Sequence, residues 1–202
     1  GTTTHALEYP MRLDGQVLYE LIDTPGFQRA RRALAWMRDS SVNAADRPAS
    51  VERFVAAHAD DERFAAEVEL LRPILAGAGI IYVVDGAVPY GPEYEPEMEI
   101  LRWSGRPGLA VINPIGSREH VESWTDALGQ FFAVTREVDV MSAPLERRLE
   151  LLRAFGELDE SWRSGIDSAV QVLRSRRTEM NNRSAQIIAE LWGACGIGSL
   201  GA

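Results

Sequence analysis

An α/β fold with a mostly parallel sheet is what this 202-residue sequence predicts. Three observations predict it. Residues 79–85 (GIIYVVD) and 109–113 (LAVIN) are short apolar runs of the kind found in parallel strands covered on both faces. Segments with helical spacing separate and follow them, giving a strand–helix–strand–helix–strand order. Upstream, residues 7–13 and 16–22 are strand-like runs joined by Asp14-Gly15, a pair suited to the positive φ of a tight hairpin turn.

In the first of these runs Pro10 cannot donate to a ladder, which makes it an edge strand. In the second run only Glu20 interrupts two mostly apolar faces, as expected of an inner strand. It ends in Asp23-Thr24-Pro25-Gly26. Residues 28–38, 49–58 and 61–76 then read as helices, the last with Phe64, Val68, Leu71 and Leu75 at three- and four-residue steps. Residues 46–48 break this helical stretch at Pro48. Residues 93–103 and 117–132 are the helices that follow the two apolar strands, and residues 137–141 form a weaker third strand. From residue 145 onward the pattern is helical, with one helix over 145–155 and one long helix over 159–192. The expected domains are residues 1–144, an α/β unit with a helical insertion at about 28–76, and residues 145–202, a helical extension ending in a Gly-rich apolar stretch.

Composition narrows the chemistry. All 21 basic residues are arginine, so Schiff-base lysines and a G-x-x-x-x-G-K-[ST] phosphate loop are excluded from these residues. The net charge of −9 repels a phosphate backbone, and no nucleic-acid partner is expected. The single cysteine, Cys195, permits no internal disulfide and fits a reducing compartment. His5, His58 and His120 lie far apart and share no metal-ligand spacing with it. The first residues, Gly1-Thr2-Thr3-Thr4, and the Gly-rich end both read as cut from something longer.

Open α/β folds bind ligands at the carboxyl ends of parallel strands. Three segments are expected there: Asp23 to Gly26, Asp85-Gly86 and Asn113-Pro114-Ile115-Gly116. A D-x-x-G turn places a carboxylate that can hold Mg²⁺ through water near a glycine N–H that can bond a terminal phosphate. By chance this tetrapeptide occurs at roughly one position in 10⁵ on average residue usage. Asp85 reads more readily as a turn residue than as a catalytic acid. Glu93, Glu95, Glu97 and Glu99 read as a solvated helix start, and Arg29, Arg31 and Arg32 as a solvated face.

These segments together resemble a P-loop GTPase of the Era/TrmE-like branch without its first strand and phosphate loop. Gly1 to His5 is similar to that branch's switch I, Asp23 to Gly26 to its switch II D-x-x-G, Asn113 to the start of N-K-x-D, and Ser142-Ala143-Pro144 to the S-A-K loop. More narrowly, residues 69–107 and the INPIG segment resemble a bacterial GTPase family that carries a C-terminal domain of unknown function. The resemblance implies an incomplete Ras-like fold in which the hairpin borders a mostly parallel sheet as its antiparallel edge. It implies GTP and Mg²⁺ as cofactors. Thr3 and Asp23 would serve the metal, Gly26 the γ-phosphate, and Asn113, Ser142 and Ala143 the base. Gln28 is the candidate for orienting water, since Phe27 stands where Ras-like proteins carry glutamine. Pro114 and Pro144 replace the lysines of the two base motifs, and no aspartate completes the first. The missing strand means that the hairpin must either pair directly with residues 79–85 or leave a gap.

The expected function is therefore a GTP-binding switch, with GTP hydrolysis belonging to a longer parent and an unidentified protein as effector. The expected location is cytoplasmic, with contact to the inner membrane face through the Gly-rich end. The rival reading is a non-catalytic protein-interaction or membrane-associated module on a degenerate GTPase fold.

Overall fold

The computed structural model describes residues 5–139 and 141–196, with side chains in the last helix described through Ser184 and at Gln186. Strands β1 (Leu7–Leu13) and β2 (Gln16–Asp23) form the expected antiparallel hairpin. Its turn uses Asp14 at φ 49° and Gly15 at φ 85°, the left-handed geometry that Asp-Gly accommodates. Helices α1 (Ala30–Ser40), α2 (Arg47–Ala57) and α3 (Ala65–Leu75) follow. Pro48 does not merely end the preceding segment. It lies in the first turn of α2, where its missing N–H has no helical partner to lose.

Strands β3 (Ile80–Asp85), β4 (Gly108–Asn113) and β5 (Val134–Glu137) make a parallel sheet in that order. They are linked by α4 (Glu95–Trp103) and α5 (Val121–Leu128). The third strand is displaced toward the N-terminus relative to the expected 137–141. Val134 to Glu137 pair with Leu109 to Ile112, whereas Asp139 turns the chain by accepting the N–H groups of Met141 and Ser142. Helix α5 is also shorter than expected, beginning only after the loop at 114–120. Helix α6 (Leu145–Gly156) and the 37-residue α7 (Glu160–Gly196) complete the described chain.

The main core gathers α1 to α4 and α5 on one face of the parallel sheet. Leu34, Met37, Phe54, Leu71, Met98 and Trp124 pack there with Ile80, Val84, Ala110 and Ile112 of the strands. A smaller cluster, built on Leu149, Ile166 and Val170, holds α6 to α7.

The hairpin does not extend the parallel sheet. Among the described residues β2 pairs with β1 alone, and β3 pairs with β4 alone, so the fold contains two separate sheets. Of the two arrangements open to the sequence, the gap is the one adopted. A cavity of about 1020 Å³ lies between the sheets, lined by residues 18–23 of β2 and 80–85 of β3 along their lengths. The two strands run the same way. Near their starts, the Leu18 carbonyl and Gly79 both abut α7, at Gly165 and Trp162. Beyond their ends, residues 27–32 and the start of α4 (Glu93, Glu97) line one smaller pocket.

Candidate functional site

The carboxyl ends of β2 and β3 open into one end of this cavity. Asp23, Thr24, Pro25 and Gly26 line it from one side, and Asp85 and Val88 from the other. Asp23 is exposed, Pro25 is buried, and a side chain at Gly26 would meet nothing within 4 Å, so its backbone is open to a close approach. Asn113 lies beside Asp85, its register partner, and its carbonyl accepts the N–H of Gly86 at 3.0 Å and of Ile115 at 3.0 Å. Asp85 itself accepts the Ala87 N–H at 2.8 Å, the turn role read from the sequence.

Ser142 and Ala143 follow β5 and so emerge at the same edge of the parallel sheet. Ser142 donates its hydroxyl to Asp139 at 2.6 Å, and the Ala143 N–H bonds the Asp139 carbonyl at 2.8 Å. That hydroxyl and the Ser142 N–H hold the Asp139 carboxyl below the usual carboxylate range. Thr3 lies outside the described residues. The structure thus brings Asp23 and Gly26 together with Asp85, places Asn113 next to them, and sets Ser142-Ala143 further along the edge.

Gln28 follows Gly26 by two residues, just before α1. It is exposed, and its backbone N–H is anchored to Glu67 at 2.8 Å. The adjacent Arg29 N–H donates to the same oxygen at 2.5 Å. Glu67 is fully buried on α3 and was not legible as a functional residue, because an acid among apolar helix positions gives no hint of which loop it meets. Its other oxygen has no hydrogen-bond partner in its buried position.

The acidic start of α4 is likewise more specific than a solvated face. Glu97 is largely buried and accepts the Tyr82 hydroxyl at 3.0 Å, while Glu95 accepts Tyr90 at 2.9 Å and Glu99 pairs with Arg38 at 2.7 Å. Burial pushes the Glu97 carboxyl above the usual range, the Tyr82 hydrogen bond opposes this, and the charge of Glu67 adds to it.

Asp23 and Gly26 are both exposed where they line the cavity's end. Pro114 is buried after Asn113, and Ile115-Gly116 supply no carboxylate. Among the described residues no group of three or more His, Cys, Asp or Glu is placed to hold a metal ion. Among them, too, no helix is long and apolar enough to cross a membrane.

Residues 125–198 match the model of a family described as Domain of unknown function (DUF3482). The match takes in the second half of α5, β5, α6 and all of α7, the helix that packs against the start of β2 and β3. No curated protein and no solved structure matches the chain.

Proposed function

We propose that this chain is the larger part of a Ras-like nucleotide-switch domain that binds GTP and Mg²⁺. The observation that carries the reading is the cavity flanked by β2 and β3 with Asp23-Thr24-Pro25-Gly26 at its open end. A strand set between them would turn two sheets into one, and its carboxyl end would deliver a phosphate loop beside Asp23 and Gly26. Backbone N–H groups of such a loop, with its lysine, cradle the phosphates. That lysine is not supplied by this chain, whose basic residues are all arginine. In this arrangement Asp23 would hold Mg²⁺ through water, Gly26 would meet the γ-phosphate, and Thr3 would complete the metal shell. Asn113, Ser142 and Ala143 would face the base. Bound Mg²⁺ would neutralise charge developing on the transferred phosphoryl group.

The test is nucleotide binding and hydrolysis with and without the missing part. The 202-residue chain alone is expected to bind GTP more weakly than about 10 μM, an affinity that needs roughly −7 kcal/mol of contacts. The same chain joined to an upstream strand and G-x-x-x-x-G-K-[ST] loop is expected to bind and hydrolyse GTP, with hydrolysis lost on Asp23→Ala. Absence of binding by the joined protein would overturn the reading in favour of a non-catalytic interaction module.

A further inference from the structure

Helix α3 holds the two chain segments at the open end of the hairpin through two carboxylates two residues apart, Glu67 and Glu69. Glu67 accepts the N–H groups of Gln28 and Arg29 at 2.8 and 2.5 Å. Glu69 accepts the N–H of Ala6 at 3.3 Å, just before β1. Ala6 and Gln28 flank the same hairpin end, where Leu7 pairs with Asp23. Helix α1 has no side-chain cap of its own and no acidic residue in its first turn. Glu67 therefore satisfies donors at the start of α1 from a different helix, and its charge complements that helix end.

We infer that Glu67 and Glu69 couple the Asp23–Gln28 loop and the segment before β1 to the helical insertion α2–α3, so that the loop and the insertion move as one unit.

The physical reason lies in what loop movement would leave behind. Glu67 is 0% exposed, and one of its oxygens already lacks a partner. Withdrawing the two N–H groups would strand a wholly unpaired carboxylate in the interior, a costly state. The neighbouring carboxylate of Glu97 carries the same sign and offers no compensation. A loop that leaves while Glu67 stays charged needs Glu67 to reach water or a new donor, and either requires α3 to shift. Helix α3 packs on α2, and α2 packs on α1 and α4, so a shift of α3 is passed to the whole insertion. The hydrogen bonds stand whatever the loop senses. Only the identity of the trigger rests on the nucleotide reading.

Amide hydrogen exchange on the 202-residue chain, without nucleotide, tests the coupling separately from that reading. Glu67→Ala is expected to speed exchange at Gln28 and Arg29 by about tenfold or more, as loss of hydrogen bonds to a charged acceptor implies. Glu69→Ala should act in the same direction at Ala6, while β4 stays protected in both. Pro25→Ala, which disturbs the loop, should speed exchange over residues 65–71, and this effect should vanish when Glu67→Ala is already present. An effect of Pro25→Ala on residues 65–71 that is equal in both backgrounds would overturn the proposal. So would exchange that rises uniformly through β3 and β4. Where Glu67→Ala does not fold, Glu67→Gln keeps the volume and one acceptor oxygen. It should give a smaller rise at the same two amides, and an unchanged rate there would count against the coupling.

Discussion

Glu97 meets two opposed demands. It closes a hydrogen bond with Tyr82, whose ring stacks on Phe132, yet its charge is held away from water and close to that of Glu67. Its carboxyl is therefore raised above the ordinary range in the folded protein, burial being the largest cause. The folded state then binds the proton more tightly than the unfolded one. The linkage sign follows: as pH rises from the unfolded value through the folded value, stability falls. Glu97→Gln keeps an acceptor for Tyr82 and removes the charge. The variant should match the parent under acid conditions where Glu97 is protonated in both states, and exceed it increasingly as pH rises to neutrality. Urea unfolding at a series of pH values checks this, and a constant difference between the two proteins would contradict it. At this scale the sequence was only partly informative. Asp85 and the arginines at 29, 31 and 32 have the bland roles their residue types suggest. Glu67 and Glu97 do not, because their partners lie 38 or 39 and 15 residues away and no local pattern encodes them.

Whole elements were read more reliably than single residues. Period and turn chemistry are local, so Asp14-Gly15, the GIIYVVD run and the spacing of α3 specified their structures without tertiary help. Strand β5 was displaced because residues 134–141 have no clear alternation, and pairing with β4 decided the register. The docking of α7 was not legible at all. Gly165 lies so close to β2 that an added Cβ would stand 2.5 Å from the Leu18 carbonyl oxygen. Gly79 is closer still to the Trp162 ring, although a ring can move more easily than a backbone carbonyl. Gly165→Ala is thus expected to push α7 away from β2 and to destabilise the protein by about 1–3 kcal/mol, the usual cost of overpacking. The helical gain from alanine, about 1 kcal/mol, opposes this only in part. Chemical denaturation measures the net effect. Arg163→Ala, an exposed neighbour on the same helix, serves as control and should stay within about 0.5 kcal/mol of the parent. Equal stability of the Gly165 variant would mean that the helix does not bear on β2.

At the scale of the whole molecule, cover and exposure follow the split between the sheets. Leu109 and Val111 on β4 are buried, but their register partners Ile81 and Val83 on β3 are 38% and 56% exposed. Across the cavity, Tyr9 and Leu21 of the hairpin are 54% and 52% exposed. Apolar surface is thus uncovered on both sides of the split, and among the described residues no strand joins β2 to β3. The cleft of about 1020 Å³ is open at one end, so its apolar lining is left in contact with water. A small apolar ligand could fill the volume but could not satisfy two strand edges, whereas an added strand does both. The 202-residue chain should therefore bind an environment-sensitive hydrophobic dye, with rapid amide exchange in β2 and β3 and slow exchange in β4 and the α1–α4 core. Joining an apolar strand upstream should abolish the dye signal, protect β2 and β3 together, and raise the melting temperature. A net gain of only about 2 kcal/mol would raise it by roughly 4–8 °C in a domain of this size. Protection of β2 without β3 would show that the strand had merely lengthened the hairpin. The two sheets would then be separate by design, and the nucleotide reading would lose the geometry that supports it.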